Sequence, residues 1–210
     1  MSDRRPSLSA PPWPSAPAYA FFRAWLRDPL AVAALSPSGR QLARLMVEQL
    51  PPIAERVIEL GGGTGVFTRA LLDAGVRADR LLVLELNEPL HQLLRQQFPG
   101  VGVVCADARD LRSVAQRSGL LDDGPADVVL SGLGLLSMPR RTQRAILEAA
   151  FAVMHPQGRL IQFTYGPVSP VPRPLLDQLR LTVHRGGFAW WNMPPASVYV
   201  YRRADATPPP

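Results

Sequence analysis

"VIELGGGTGVFTRALLD" (residues 57–73) is a short apolar run that breaks into glycines and resumes as an amphipathic segment. A buried strand, a tight turn and a helix opening straight from it make the repeating unit of an α/β fold. The order of residues inside the turn decides what it holds. A dinucleotide fingerprint runs G-x-G-x-x-G and sets a pyrophosphate on the helix N-terminus. Here Glu59 precedes Gly61, Gly63 and Gly65 in the order E-x-G-x-G-x-G, so a carboxylate ends the strand beside the turn that a pyrophosphate would have to approach. A negative side chain there repels phosphate and suits a cation. Glycines at alternate positions let a ligand come close to the backbone, since no Cβ stands in the way.

The same alternation continues outward. "LLVLEL" (81–86), "VGVVCA" (101–106), "DVVLS" (127–131) and "GRLIQFTY" (158–165) are short apolar runs separated by helical segments. Strands alternating with helices predict a mostly parallel sheet covered on both faces. After residue 166 come a proline-rich linker, a short helix near 174–182, and two more strand-like runs, "FAWW" (188–191) and "SVYVYRR" (197–203). Upstream, "AYAFFRAWLRDPLAVAAL" (18–35) reads as a helix that Pro29 stops or kinks, with Phe21, Phe22, Trp25 and Leu26 at helical spacing and Arg23 and Arg27 one turn apart. "SPSG" (36–39) opens a second helix, with Ser36 as cap and Pro37 in its first turn, ending at the prolines 51 and 52. Residues 1–17 hold five prolines among serines and alanines and, like the tail 204–210, read as disordered. The organisation is therefore an arm (1–17), N-terminal helices (18–52), one α/β domain (53–203) and a tail, without internal repeats.

Composition limits the partners. The 210 residues, 47% hydrophobic and 19% charged, describe one domain with a sizeable core. Cys105 is the only cysteine, which excludes an intrachain disulfide and a cysteine-rich zinc site, and no metal is expected. No run approaches the roughly 18 apolar residues of a spanning helix, and no signal-peptide core is visible, which fits the cytoplasm. All 23 basic residues are arginine, and the net charge is +6. Arginine suits phosphate, or its excess reflects genomic base composition; nucleic acid and anionic lipid surfaces both stay open on charge alone.

Two further acids follow Glu59 at strand ends. Glu85 closes "LLVLEL" at the spacing of an acid that binds ribose hydroxyls, and Asp107 follows "VGVVCA", placed to accept from an adenine amine. All three would face one crevice. These residues resemble the class I S-adenosylmethionine-dependent methyltransferases, whose Rossmann-like seven-stranded sheet ends in an antiparallel strand. The resemblance implies S-adenosyl-L-methionine as cofactor, with Gly61, Gly63, Thr64 and Gly65 near its methionine part, Glu85 and Asn87 at the ribose, and Asp107 and Ala108 at the adenine. In "DVVLSGLGLL" it puts Ser131, Gly132 and Leu133 beside the transferable methyl. Methyltransferases acting on base amines carry Asn-Pro-Pro-aromatic there, and this chain lacks both the asparagine and the aromatic. A ribosomal RNA adenine methyltransferase is the alternative, with a membrane-binding protein on a methyltransferase scaffold behind it.

Several stretches together, "FFRAWLRDPLAVAALSPSGRQLARLM", "DVVLSGLGLL", "IQFTYGPVSPVP" and "WWNMPPASVYVYRR", resemble the soluble bacterial phospholipid N-methyltransferases, which methylate phosphatidylethanolamine toward phosphatidylcholine. That family usually has proline where Gly134 stands, predicting a looser turn here. The implied setting is the inner face of the bacterial membrane, with an anionic phospholipid surface and a lipid substrate as partners and no nucleic acid. The helix bearing Tyr19, Phe21, Phe22, Arg23, Trp25 and Arg27 then has two readings, an interfacial anchor or an ordinary core helix. Ser36, Ser38, Gly39 and Arg40 either close over the methionine carboxylate or merely cap a helix. Tyr165 would overlook the methyl acceptor as the catalytic residue. Trp190, Trp191 and Asn192 make a lipid-facing wall or fill the sheet edge. Arg173, Arg185 and Arg203 are unranked candidates for the lipid phosphate. His155 reads as structural, and His91 and His184 have no evident partner. Replacing Phe21, Phe22 and Trp25 together by serine should weaken co-sedimentation with anionic liposomes and leave cofactor affinity nearly unchanged; loss of fold would favour the core helix.

Overall fold

The computed structural model describes residues 37–190, 192 and 195–206. The expectations for Tyr19, Phe21, Phe22, Arg23, Trp25, Arg27, Ser36 and Trp191 lie outside the described residues. Among those described, the helices are α1 (Pro37–Val47), α2 (Val66–Asp73), α3 (Glu88–Gln97), α4 (Leu111–Arg117), α5 (Arg140–Val153) and α6 (Arg173–Gln178). The strands are β1 (Val57–Leu60), β2 (Leu81–Glu85), β3 (Gly102–Cys105), β4 (Ala126–Ser131), β5 (Met154–Tyr165), β6 (Leu181–Ala189) and β7 (Ala196–Arg203). They form one sheet in the order β3-β2-β1-β4-β5-β7-β6, six strands running one way and β7 against them. Strand order reverses between β1 and β4, which opens a crevice beyond their carboxyl ends.

The central strands of the sheet are buried on both faces. Ile58, Leu60, Leu82, Leu84 and Leu160 pack with Leu111, Ile146, Leu147 and Leu176 of α4, α5 and α6. Alternate residues Val57, Val83, Val128 and Ile161 pack with Leu42 and Met46 of α1, Leu71 of α2 and Leu94 of α3. Both faces being covered explains why β1 and β2 read as apolar runs without polar alternation.

The one large departure from the sequence reading is β6, which is nine residues long and begins at Leu181, where a helix was expected to continue to 182. Arg180 turns the chain with φ 51°, ending α6 early. Gly186 and Gly187 disguise the strand, because glycine is depleted from strands. Their bareness seats α1: a Cβ on Gly186 would stand 2.4 Å from Gln49 Oε1, and one on Gly187 would stand 3.2 Å from Leu45 Cδ2. Gln49 Nε2 also donates to Gly186 O at 3.2 Å, and Arg159 Nη1 donates to Gln49 O at 2.9 Å. The α1 helix and the turn after it are thus fastened across β5 and β6, with Pro51 and Pro52 leading from there into β1.

Gly65 caps α2 in the left-handed region at φ 83°, and a Cβ there would come within 2.5 Å of the Phe98 ring. Its bareness serves the packing of α2 on the end of α3. The Gly65→Ala variant should therefore lose about 1–3 kcal/mol in urea unfolding, since overpacking and left-handed strain act together.

Candidate active site

A cavity of about 560 Å³ opens at the crevice, lined by Gly61 and Gly63 after β1, Glu85 to Asn87 after β2, Ala106 to Arg109 after β3, and Gly132 to Gly134 after β4. The structure so brings together Gly61, Gly63, Glu85, Asn87, Asp107, Ala108 and Leu133 of the expected cofactor residues. Glu59, Thr64, Gly65 and Ser131 do not line it. Gly65 packs on Phe98, and the buried Ser131 Oγ accepts from Leu133 N at 3.3 Å. Gly63 is different: at φ 55° a Cβ would meet nothing within 4 Å. Space beside a bare backbone at a cavity wall is what a closely approaching ligand needs.

Two of the acids are held by backbone. Glu85 Oε2 accepts from Gly63 N at 2.9 Å and its Oε1 accepts from Asn87 N at 2.8 Å, leaving one lone pair on each oxygen. Asn87 caps α3 through Leu90 N at 3.1 Å. Asp107 is paired with Arg109 at 3.0 and 2.7 Å, and that guanidinium holds its carboxyl below the usual range. Glu59 is a different acid from the one expected. It is fully buried, its Oε2 accepts from Thr68 Oγ1 at 2.7 Å, and its Oε1 has no partner. Burial, reinforced by Glu85, pushes its pKa up to about 8, so at neutral pH it carries a proton and offers no full negative charge.

The turn after β4 is well fixed, against the looseness expected from Gly134. Gly134 has φ −79°, which a proline would also adopt, so its freedom is not used. Gln143 Nε2 donates to Leu135 O at 2.8 Å, and Gln162 Nε2 donates to Leu133 O at 2.7 Å. Both glutamines are buried, and sequence reading missed them. The available signal was a glutamine inside the apolar run of β5.

Beside this turn stands an aromatic series. A Cβ on Gly132 would touch the Phe67 ring at 3.4 Å; Phe67 lies 5.7 Å from Phe163, and Phe163 lies 5.5 Å from Tyr165. Tyr165 bonds the Asn192 side chain, and burial pushes its hydroxyl up to about 12. It does not line the cavity itself but ends the row leading away from it. Asn192 is 4% exposed, an interior partner of Tyr165, which agrees with the sheet-edge alternative and not with a lipid-facing wall, whereas Trp190 is 75% exposed with its ring against Phe188. At the start of α1, a Cβ on Gly39 would lie 3.9 Å from Val66 at the head of α2, and Arg40 is exposed. The start of α1 thus lies beside α2 and the glycine turn, although Gly39 and Arg40 do not line the cavity.

The arginine candidates for lipid phosphate divide. Arg203 is at the far edge of the sheet, donating to Phe151 O and to His155 O, so it is out of reach. Arg185 donates to Pro167 O, and Arg173 is exposed beside Asp177 at 3.3 Å. His155, also at the far edge, lies 3.3 Å from Asp127. His184 falls within β6, where burial, with Arg202 and Arg159 adding to it, lowers its pKa.

A family model described as a methyltransferase domain matches residues 57–158. Over 190 residues the chain is 32% identical to an ornithine lipid N-methyltransferase of Singulisphaera acidiphila, a match covering 88% of this chain and 95% of the relative. This chain belongs to the class I S-adenosylmethionine-dependent methyltransferases. Among solved structures, a 1,6-didemethyltoxoflavin-N1-methyltransferase of Burkholderia thailandensis, with bound S-adenosylhomocysteine, superposes with TM-score 0.61 at 17% identity, covering 93% of each chain. A TehB-like methyltransferase of Corynebacterium glutamicum superposes with TM-score 0.58 at 18% identity, covering 89% of this chain and 99% of that one. Both likenesses concern the fold.

The cofactor of this methyltransferase is S-adenosylmethionine. The cavity fits it by chemistry: acceptor lone pairs on Glu85 suit two ribose hydroxyls, Asp107 suits an amine, and the bare face of Gly63 leaves room. Gly63→Ala should fold with about 1 kcal/mol of strain, yet weaken S-adenosylhomocysteine binding in calorimetry several-fold. Glu59 gives a pH prediction. Its folded pKa exceeds its unfolded value, so its contribution is fully present below about pH 4.5 and lost as pH rises toward about 8. Glu59→Gln should therefore melt higher than wild type at pH 8.5, and the difference should vanish near pH 5 by scanning fluorimetry.

Proposed function

We propose that this methyltransferase methylates the headgroup amine of a membrane lipid. The crevice end of the sheet carries the reading. Of five large apolar side chains exposed among the described residues, Leu86, Leu136, Val168 and Trp190 follow the carboxyl ends of β2, β4, β5 and β6, and Ile53 alone lies near the other edge. The first four stand on the end of the sheet where the crevice opens, Leu86 at the cavity itself and the others spread along that end, and exposed apolar side chains on one such face favour an apolar partner. The lipid named for the Singulisphaera relative, matched over most of both chains, supports that partner being lipid. The net charge of +6, all from arginine, favours an anionic surface at the inner face of the membrane, to which the aromatic residues of the stretch 18–35 would add. No helix among the described residues is long and apolar enough to cross a membrane.

Two headgroups present the required amine: phosphatidylethanolamine with its mono- and dimethyl forms, implied by the sequence resemblance, and the ornithine headgroup of the relative's name. S-adenosylmethionine supplies an electrophilic methyl on a sulfonium. Glu85 would hold the ribose hydroxyls, Asp107 the adenine amine, and the start of α1, the segment of Ser38, Gly39 and Arg40, the methionine carboxylate. None of Phe67, Phe163 and Tyr165 lines the cofactor cavity; the acceptor amine would meet Tyr165 at the end of that row, whose ring attracts an alkylammonium. An ammonium has no lone pair, so it first loses a proton to water. Tyr165, kept protonated by burial, is no base; its hydroxyl oxygen accepts an N–H and aims the nitrogen.

Labelled methyl transfer to anionic liposomes containing phosphatidylethanolamine or ornithine lipid tests the reading, with ribosomal RNA in a parallel arm. Label is expected in one or both lipids. Label in RNA and in neither lipid would overturn the proposal. Tyr165→Phe should lower kcat roughly tenfold with cofactor affinity unchanged.

A further inference from the structure

Three side chains that the sequence left apart meet beside the cofactor cavity. Glu88 and His91 stand one turn apart on α3, and Cys105 ends β3, in register with Glu85. Their ligand atoms lie within 4.8 Å of one another, the one such cluster of three among the described residues. His91 is 9% exposed; its Nδ1 sits 3.5 Å from Glu88 Oε1 and makes no hydrogen bond. Buried polar atoms are nearly always satisfied, so an aimed, unbonded imidazole nitrogen calls for a partner. Cys105 Sγ lies 3.7 Å from Leu86 O and bonds the Glu88 carboxylate, and that carboxylate, with Glu85 behind it, holds the thiol in its protonated form.

We propose that Glu88, His91 and Cys105 bind one divalent cation of the zinc class, with a fourth position open to water. Sulfur, imidazole nitrogen and carboxylate oxygen are the donors such ions prefer, at distances of about 2.0–2.3 Å. Two ligands on one tetrahedral ion at those distances stand roughly 3.4 Å apart, close to the 3.5 Å between His91 and Glu88. Binding replaces the thiol proton, which leaves to solvent, and brings positive charge to a corner where Glu85 and Glu88 supply negative charge. The site is empty. Its neighbours in the chain, Leu86, Asn87, Leu90 and Ala106, line the cofactor cavity, so the ion would clamp the first turn of α3 to the end of β3 and join two of the cavity's walls. The pairing escapes sequence inspection because an i, i+3 pair and a residue fourteen positions later meet only through the β2–β3 register.

The test is titration of the reduced full-length chain with cadmium chloride, followed by the thiolate-to-cadmium charge-transfer band in the ultraviolet. A band saturating at one equivalent and displaced by zinc is expected. Cys105→Ser should abolish it, and His91→Gln and Glu88→Gln should each weaken binding at least tenfold, with circular dichroism confirming the fold. Because Glu88 is exposed, its variant keeps the test valid if His91→Gln unfolds. No saturable band, or a band whose affinity neither variant changes, would overturn the site.

Discussion

The carboxylate of Glu85 is the tie on which the site depends. It accepts from Gly63 N on one side and Asn87 N on the other, joining the turn after β1 to the turn after β2. Charge-assisted bonds of this kind are about twice as strong as neutral ones. Gly63 is thereby held in a left-handed conformation with its open side toward the cavity, and Asn87 is set to cap α3. The parallel register of β1 and β2 brings the two turns level, so the sheet and the tie support each other. Gln162 and Gln143 do the corresponding work for the turn after β4, using amide groups inside the core.

The first two acids of the series differ because their surroundings differ. Glu85 is satisfied by backbone donors at the cavity wall, whereas Glu59 sits one layer deeper, against Thr68, with an oxygen left bare. Burial decides the protonation of Glu59, and a cation nearby would pull the same group back toward its charged form. The two acids thus do different things: Glu85 presents acceptor oxygens at the cavity wall, and Glu59 lies behind it with its proton retained by burial.

Much of this was legible in the chain. The parallel α/β sheet followed from apolar runs at strand length between helical segments, and the crevice from acids falling at successive strand ends. Composition and spacing could not separate glycines that face a ligand from glycines that face a side chain, and Gly65 belongs to the second kind because Phe98 occupies its space. Only the end of β6 was read, as "FAWW"; its first part stayed hidden since Gly186 and Gly187 were selected by Gln49 and Leu45, residues more than a hundred positions away. Tyr165 was placed at the right strand end, and Phe163, two residues earlier on β5, shares its face, but Phe67 comes from α2 and meets them only in the fold. For Asn192 the sequence left a lipid-facing wall and a filled sheet edge open, and only the fold shows it as interior.

The position of β7 between β5 and β6 bears on the order of assembly. β6 has β7 as its sheet neighbour, so during synthesis it has no ladder until a strand made later arrives to insert beside β5. The glycines that seat α1 lie on β6. An element from the early part of the chain thus waits for one of the last to be made, and contacts this distant in sequence are slow to form. Until that closure the nascent chain exposes an unpaired edge and the apolar stripe of α1 carrying Leu42 and Met46. Such an intermediate is a natural client for chaperones and the stage at which self-association would compete with folding.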